Sequence, residues 1–241
     1  MAATPLADPA ALRDLVAANR ILAHEGVLDA FGHVSIRHPE RPDRYVISRS
    51  LGPELVTEAD LQCFTLDGEQ VGGAAGTAYA ERAIHGALYE ARPDVLAVCH
   101  NHAPSVIPFS VTGVPLRPIY HMAALLGHHV PTWDIAEEFG DTDLLVRTME
   151  QGRSLARALG SGRVALMRGH GSVVAGGSLR EVVWACVYME ENARLQAQAM
   201  ALGDVRYLSP GEIDIMAQYQ MDPRGNERAW HAWRKRVGLA D

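Results

Sequence analysis

The sequence predicts an α/β fold: a three-layer α/β/α domain around a mixed, largely antiparallel sheet. Helical stretches and short strand-like stretches intermix along all 241 residues, which is typical of helices packed on both faces of one sheet. Several strands follow one another with only a turn between them, and this favours antiparallel pairing over a doubly wound parallel sheet. The chain contains no repeat, low-complexity tract or linker, so we expect a single domain over residues 1–241.

The N-terminal stretch predicts one helix followed by short strands. Asp8 can cap this helix, Pro9 suits its first position, and Gly26 can end it. Short strands are then predicted in GHVSIRHP and RYVISRS, and a helical turn, a strand and an Asp-Gly turn in LVTEADLQCFTLDGEQV.

In the middle of the chain, a helix leads directly into a buried strand. Thr77 is the expected N-cap of the helix, and Glu81 lies in its first turn. Arg92-Pro93 ends the helix, because the residue before a proline disfavours the α region. The strand VLAVCHNHA is apolar on both faces, so we expect it inside the sheet.

The C-terminal half predicts a strand pair and three helices. A strand, a Gly-rich turn and a second strand are predicted in RVALMRGHGSVVAGG. One helix is predicted over DTDLLVRTMEQGRSLARALG, with its acidic residues in the first turn. Capping boxes open two further helices, one formed by Ser178 and Glu181 and the other by Ser209 and Glu212.

Composition excludes several classes of protein. The formal net charge of −7 argues against a nucleic-acid partner. No run of about 18 apolar residues predicts a membrane span, and the N-terminus lacks the basic and apolar regions of a secretory signal. The three cysteines have no CxxC spacing, which favours a reduced, cytoplasmic setting.

Two histidines end the buried strand. His100 and His102 share a face, because side chains alternate along a strand. Two neighbouring imidazoles suit a divalent metal ion. His170, between Gly169 and Gly171, is the best candidate for a third ligand. Three histidines leave a coordination position free, which is the pattern of a catalytic rather than a structural metal site.

Glu81 precedes the histidine strand on the helix that leads into it. A carboxylate near a helix N-terminus is stabilised by the helix dipole, and this alone can explain its place. The functional alternatives are a fourth ligand that substrate displaces, or a general acid and base beside the metal. His85 lies four residues further along the same helix face, where we expect a supporting or packing role rather than metal ligation.

Together these motifs resemble the class II aldolase/adducin head family. The resemblance covers about residues 10–205 and rests on the motifs at 32–37, 80–104, 118–127 and 167–195. It implies a nine-stranded central sheet between helices, and usually a homotetramer with active sites at subunit interfaces. It also implies that His100, His102 and His170 bind Zn²⁺, with Mn²⁺, Co²⁺ and Fe²⁺ as alternatives, and that Glu81 is the catalytic acid/base.

The chain departs from the family members that cleave sugar phosphates. Those aldolases have GNVS where this chain has GHVS, so His33 replaces an asparagine. They also carry small hydroxyl residues just before the catalytic glutamate, where this chain has Tyr79 and Ala80. Loss of several short donors leaves a phosphate poorly satisfied.

The motifs FGHVSIRHP, SRSLGPEL and PIYHMAALLG instead resemble a decarboxylase branch of the family that acts in aromatic-acid catabolism. Substrates of that branch are dihydroxyphthalate-type acids or 3-carboxy-2-hydroxymuconic-semialdehyde-type ring-fission products. For Arg49, carboxylate binding and an ordinary surface position stay equally open. On these motifs the candidate substrate-binding residues are His33, Ser48, Arg49, Ser50, Tyr120 and His121.

We therefore expect a divalent-metal-dependent decarboxylase of a hydroxylated aromatic or muconate-type carboxylic acid, such as 3,4-dihydroxyphthalate. Alternatives are a class II aldolase, epimerase or dehydratase acting on a sugar or sugar phosphate, and a non-catalytic adducin-like interaction module. Retention of the three histidines and Glu81 argues against the module. Whether the C-terminal helices within 209–236 cover the active site stays open.

Overall fold

The computed structural model describes residues 6–239, and its helices pack on both faces of one sheet. The helices are α1 (Pro9–His24), α2 (Arg82–Ala91), α3 (Ile107–Ser110), α4 (Ile135–Phe139), α5 (Met149–Leu159), α6 (Leu179–Leu202), α7 (Pro210–Met221) and α8 (Pro223–Arg236). The strands are β1 (His33–Arg37), β2 (Arg44–Ser48), β3 (Leu61–Thr65), β4 (Gln70–Gly73), β5 (Ala97–Asn101), β6 (Thr132–Trp133), β7 (Val164–Met167) and β8 (Gly171–Gly176). Short 3₁₀ turns span Pro53–Leu55, Glu58–Asp60 and His121–Leu126.

The eight strands lie in the order β4-β3-β2-β1-β5-β8-β7-β6. All neighbouring strands are antiparallel except β6 and β7, so the predicted mixed, largely antiparallel sheet is confirmed. The described residues form eight strands rather than the expected nine. β5 lies between β1 and β8, with His33 opposite His100 and Ser172 opposite Asn101.

Alternate residues of each strand pack on opposite faces of the sheet. Val34 and Cys99 belong to the core that includes α1, α6 and α8, whereas Val98 and Ala175 belong to the core that includes α2 and α5. The side chain of Cys99 therefore lies opposite to that of His100, as its place in the strand predicts. These two cores confirm the three-layer α/β/α architecture.

Two helix starts follow their sequence signals. The carboxylate of Asp8 accepts a hydrogen bond from the Ala11 amide, and Pro9 opens α1. Ser209 and Glu212 form the predicted capping box of α7: the side chain of each accepts a hydrogen bond from the backbone N–H of the other.

The capping box predicted at the start of α6 is only half-formed. The hydroxyl of Ser178 accepts from the Glu181 amide at 3.2 Å. The Glu181 carboxylate instead accepts from the Gly177 amide and from the guanidinium of Arg163. A nearby cation thus draws the glutamate away from the second bond of the box.

The predicted start of α2 is wrong. The helix begins at Arg82 with Glu81 in the N-cap position, and Thr77 lies before it. The carbonyl of Thr77 accepts a hydrogen bond from the Ser50 amide at 2.7 Å, which ties this stretch to the loop after β2. Glu81 is therefore the N-cap residue of α2 and does not lie within its first turn.

The start of α5 is also later than its acidic residues predict. Thr148 and Gln151 form a capping box, so the helix begins at Met149. Asp143 accepts a hydrogen bond from the Leu145 amide and remains in the loop before the helix.

The C-terminal helices pack on their own chain. In α7, the Gln220 side chain donates to the carbonyl of His121 at 2.6 Å. In α8, Trp230 and Trp233 are buried in the core shared with α1 and α6. Coverage of the active site by these helices stays a prediction. Among the residues that the structure describes, no helix combines the length and apolar character needed to cross a membrane.

Candidate metal centre

His100 is fixed at the end of β5. Its imidazole is fully buried, and Nδ1 lies 3.1 Å from the carbonyl oxygen of Ser172 on β8. A carbonyl only accepts hydrogen bonds, so Nδ1 carries the proton and the lone pair is on Nε2. Nε2 is therefore free to bind a cation.

His102 follows just after the strand and is held in the same way. Its Nδ1 lies 3.1 Å from each carboxylate oxygen of Asp29, while its Nε2 lies 3.2 Å from Nε2 of His100. Asp29 is itself fixed by the amides of Phe31 and Gly32. Burial raises the pKa of Asp29, but these hydrogen bonds outweigh it and hold the pKa below its usual value. Asp29 thus orients the imidazole as a carboxylate.

His170 reaches the pair from the turn between β7 and β8. Gly169 has a φ of +64°, which suits a residue without a side chain. A Cβ on Gly171 would lie 2.1 Å from the carbonyl oxygen of Asn101, so only glycine lets β8 start this close to β5. Both ring nitrogens of His170 are buried without a hydrogen-bond partner. Buried polar atoms of this kind call for a ligand or ion.

Glu81 completes the group from the start of α2. Its Oε1 accepts a hydrogen bond from the Val146 amide at 2.9 Å. Its Oε2 lies 3.5 Å from Nε2 of His100 and 3.6 Å from Nε2 of His170. Burial raises the pKa of Glu81, but the two imidazoles outweigh it and hold the pKa far below its usual value. Without a metal, Glu81 is therefore a carboxylate.

These four side chains fit a divalent metal ion. One ligand atom from each of Glu81, His100, His102 and His170 lies within 4.8 Å of the other three. Three imidazole nitrogens and one carboxylate oxygen are a donor set that divalent transition metals accept. The partnerless nitrogens of His170 and the protonated Nδ1 atoms of the other two histidines agree with that fit.

A buried polar chain lies behind the metal centre. His33 Nδ1 is 2.7 Å from His85 Nε2, and the His33 ring is 5.2 Å from the His100 ring between centroids. Burial, then the neighbouring imidazoles, hold the pKa of His33 well below its usual value. His33 is thus a neutral polar group rather than a cation. His85 contacts His33 and Ser35 and lies outside the four-residue group.

The end of β2 and the loop after it hold three of the predicted substrate residues. Ser48 is buried with its hydroxyl 3.4 Å from the phenol of Tyr79. The Nε of Arg49 donates to Asp60 at 2.8 Å, so part of this guanidinium already has a partner. Ser50 is exposed. Their contact with substrate stays a prediction.

Tyr120 and His121 lie away from the polar chain. The phenol of Tyr120 is buried without a partner, and its ring packs near Tyr188. His121 is exposed, and its carbonyl holds Gln220 of α7. Within residues 6–239, neither side chain is hydrogen-bonded to the four metal-centre residues. Their substrate role stays a prediction.

Asp29, which contacts His102 of the candidate metal centre, is a residue that sequence reasoning missed. It lies 73 residues before His102, in a loop, and no spacing rule joins the two. The sequence offers one signal for it: Asp29 is an acidic residue four positions before His33, in the loop that leads into β1. A cavity of about 480 Å³ opens beside Asp29 and is also lined by Arg20, His24 and Glu54.

A family model described as Class II Aldolase and Adducin N-terminal domain matches residues 13–197. The chain belongs to this family. The predicted resemblance is therefore confirmed, and the Glu81, His100, His102 and His170 cluster is the metal-site candidate of a class II aldolase and adducin domain.

Two relatives from this family cover nearly the whole chain. One is the decarboxylase tropJ of Talaromyces stipitatus, which is 36% identical over 94% of this chain and 93% of its own length. Another is the 3,4-dihydroxyphthalate decarboxylase of Terrabacter sp. (strain DBF63), which is 32% identical over 95% of this chain and 96% of its own. A solved L-fuculose 1-phosphate aldolase from Glaciozyma antarctica PI12 shares the fold with a TM-score of 0.77, at 24% identity over 99% of this chain and 94% of its own.

Proposed function

We propose that the protein is a divalent-metal-dependent decarboxylase of a hydroxylated aromatic or muconate-type carboxylic acid, such as 3,4-dihydroxyphthalate. The observation that carries this proposal is the convergence of three imidazoles and Glu81 on one point. Near-full-length similarity to two proteins named decarboxylases supports the reaction type.

The centre would hold Zn²⁺, with Mn²⁺, Co²⁺ and Fe²⁺ as alternatives. When bound, such an ion supplies a Lewis acid that lets negative charge spread from carbon onto a neighbouring substrate oxygen. Ser172 and Asp29 keep Nδ1 protonated on His100 and His102, so both imidazoles would present Nε2 to the ion.

Glu81 is the proposed proton donor. The bond between the substrate carbon and its carboxylate breaks, CO₂ leaves, and the electron pair stays on the substrate. A proton from Oε2 of Glu81 then bonds to that carbon, so each turnover consumes one proton from solvent. The Val146 amide holds Oε1, which leaves Oε2 to carry the proton.

The protonation of Glu81 depends on whether the site is loaded. In the metal-free protein, the imidazoles of His100 and His170 lie 3.5 and 3.6 Å from Oε2, and their proximity outweighs burial and holds the pKa of Glu81 below its usual value. An imidazole that ligates a metal through Nε2 has no proton there to donate. With an ion bound, Glu81 would be a fourth ligand or, where substrate took that place, a neutral acid, because burial favours the protonated form.

Substrate binding is proposed at His33 and the Ser48, Arg49 and Ser50 loop. Tyr120 and His121 are proposed to bind substrate, the exposed side chain of His121 doing so in the site of a neighbouring copy in a homotetramer.

The test compares CO₂ release with aldehyde release. Protein stripped of metal and reloaded with Zn²⁺, Mn²⁺, Co²⁺ or Fe²⁺ is assayed with 3,4-dihydroxyphthalate, and in parallel with fuculose and ribulose phosphates. We expect metal-dependent CO₂ release and no aldehyde. Activity on the phosphates alone would identify an aldolase, and failure to bind any of the four metals would favour the adducin-like module.

A further inference from the structure

Four buried side chains run from beside the metal centre into the core that includes α2. His33 Nδ1 lies 2.7 Å from His85 Nε2, and His85 Nδ1 lies 2.6 Å from the Ser35 hydroxyl. The Ser35 hydroxyl lies 2.8 Å from the phenol oxygen of Tyr89. All four side chains are at most 1% exposed. Distances this short indicate one continuous hydrogen-bonded chain.

The inner imidazole of this chain, that of His85, is neutral. Burial, then the proximity of His100, lowers the pKa of His85 to about 3. The His85 ring therefore carries one N–H and one lone pair, so each of its two contacts has a definite donor and acceptor.

The inner end of the chain sets the direction of donation. Among residues 6–239, the Ser35 hydroxyl is the acceptor within hydrogen-bond distance of the Tyr89 phenol. The backbone of Val98 also faces this phenol oxygen, and an amide N–H can only donate to it. If Ser35 donated to Tyr89, the phenolic proton would be buried without an acceptor, which is costly. Tyr89 therefore donates to Ser35.

The remaining bonds follow from that first one. Ser35 accepts from Tyr89 and donates its own proton to Nδ1 of His85. His85 then carries its proton on Nε2 and donates it to Nδ1 of His33. His33 is left with its proton on Nε2, and this atom has no hydrogen-bond partner among the described residues. The His33 ring thus carries a fixed N–H donor, and its centroid lies 5.2 Å from the centroid of the His100 ring.

We propose that Tyr89, Ser35 and His85 are positioning residues that fix His33 as a neutral Nε2–H donor to an anionic oxygen of the substrate. The choice of a substrate carboxylate as acceptor rests on the proposed decarboxylase function. The direction of the chain does not, because it follows from the buried contacts alone. A neutral donor binds a carboxylate without burying a second charge beside the metal centre.

The first test reads the tautomer directly. Long-range ¹H–¹⁵N correlation spectra of the histidine-labelled full chain distinguish Nε2–H from Nδ1–H imidazoles. The His33 signal is assigned by its loss in His33→Gln. We expect the Nε2–H tautomer at neutral pH, and a mixture of tautomers in Ser35→Ala. A predominant Nδ1–H form or a doubly protonated His33 in the wild type would overturn the proposal, whatever the protein catalyses.

The second test measures the effect on substrate. For 3,4-dihydroxyphthalate we expect KM to rise about ten- to a hundredfold in Ser35→Ala and His85→Leu. His85→Gln keeps an amide donor for His33 and should restore most of the loss. Metal content should be unchanged in all three, whereas a structural collapse of the site would lower it. Ser154 on α5 is equally buried, and its hydroxyl is hydrogen-bonded to both Trp133 and Glu138. Ser154→Ala therefore serves as the control.

The outcomes separate the two proposals. If neither wild type nor any variant releases CO₂, the proposed decarboxylase function is wrong. The tautomer measurement then still tests the positioning role on its own. If wild type is active and KM is the same in Ser35→Ala, His85→Leu and His85→Gln, the positioning role is wrong.

Discussion

At the residue scale, two of the three metal-centre histidines owe their orientation to the partner of their other nitrogen. Ser172 holds His100 through a backbone carbonyl, and Asp29 holds His102 through a carboxylate. His170 has no such partner, and its position comes from the glycines on either side of it. The three ligands should therefore differ in their sensitivity to substitutions around them.

Replacing Asp29 with asparagine tests its support of His102. Asparagine keeps an oxygen for the Phe31 and Gly32 amides but loses the charge that orients the imidazole. We expect metal affinity to fall by about 10- to 100-fold, measured by competition with a chromogenic chelator. Asp67→Asn changes a side chain that is 75% exposed and is the matched control. Equal affinities in the two variants would show that Asp29 does not support the ligand.

Buried neutral histidines predict how stability depends on pH. The pKa of His85 is about 3 in the folded chain and ordinary in the unfolded chain, so below about pH 6.5 the unfolded chain binds the extra proton. The contribution of neutral His85 to the free energy of unfolding is thus fully present above that pH and is lost as the pH falls. Between pH 7 and 5, His85→Gln should flatten the slope of the free energy of unfolding by up to about 1.4 kcal/mol per pH unit. Urea titrations measure it, with the exposed His129→Gln as control; parallel slopes in wild type and His85→Gln would refute the prediction.

Sequence reasoning located residues that share a strand or a turn and missed those joined across the fold. Strand alternation predicted that His100 and His102 would face the same way, and the flanking glycines drew attention to His170. The partnership of Asp29 with His102 bridges 73 residues between two loops, and local spacing carries no information about it. The neutral state of His33 depends on burial among other imidazoles, which a linear sequence does not display.

At the element scale, the metal centre depends on how closely β5, β8 and α2 approach one another. β5 presents its histidines at one end, and the first residue of β8 touches its backbone. The strands were predictable because their apolar runs end at clear turn signals. The start of α2 was not, because the bond between Ser50 and Thr77 competes with the capping preference of Thr77.

Gly171→Ala should separate the two strands at the metal centre. The added Cβ would meet the Asn101 carbonyl oxygen at 2.1 Å, a backbone atom that cannot rotate away. We expect a loss of roughly 1–3 kcal/mol in the free energy of unfolding and a loss of bound metal, since His170 must shift. Thermal melts and metal analysis measure both. Gly113→Ala, with open space around its Cβ, is the control. Full metal content in Gly171→Ala would contradict the close-approach account.

At the scale of the whole molecule, exposed apolar side chains point to association. Phe31 beside the metal centre is 73% exposed, Ile215 on α7 is 71% exposed, and Leu202 at the end of α6 is 91% exposed. Large exposed apolar side chains favour contacts between copies of a chain. The family resemblance predicted a homotetramer, and this number stays a prediction.

Light scattering at micromolar concentration should therefore give four chains per particle. Dilution that dissociates the particle should also abolish activity, because His121 is proposed to act in a neighbouring site. A single chain that retains full activity would refute both the assembly and the shared site.

The most direct test of the account is the metal content of purified protein after loading and dialysis, measured by mass spectrometry. One divalent ion per chain is expected in wild type and in the exposed control His129→Ala, and strong loss is expected in His100→Ala, His102→Ala and His170→Ala. No ion in wild type after loading with Zn²⁺, Mn²⁺, Co²⁺ or Fe²⁺, or full retention by His170→Ala, would contradict a centre built from these three imidazoles.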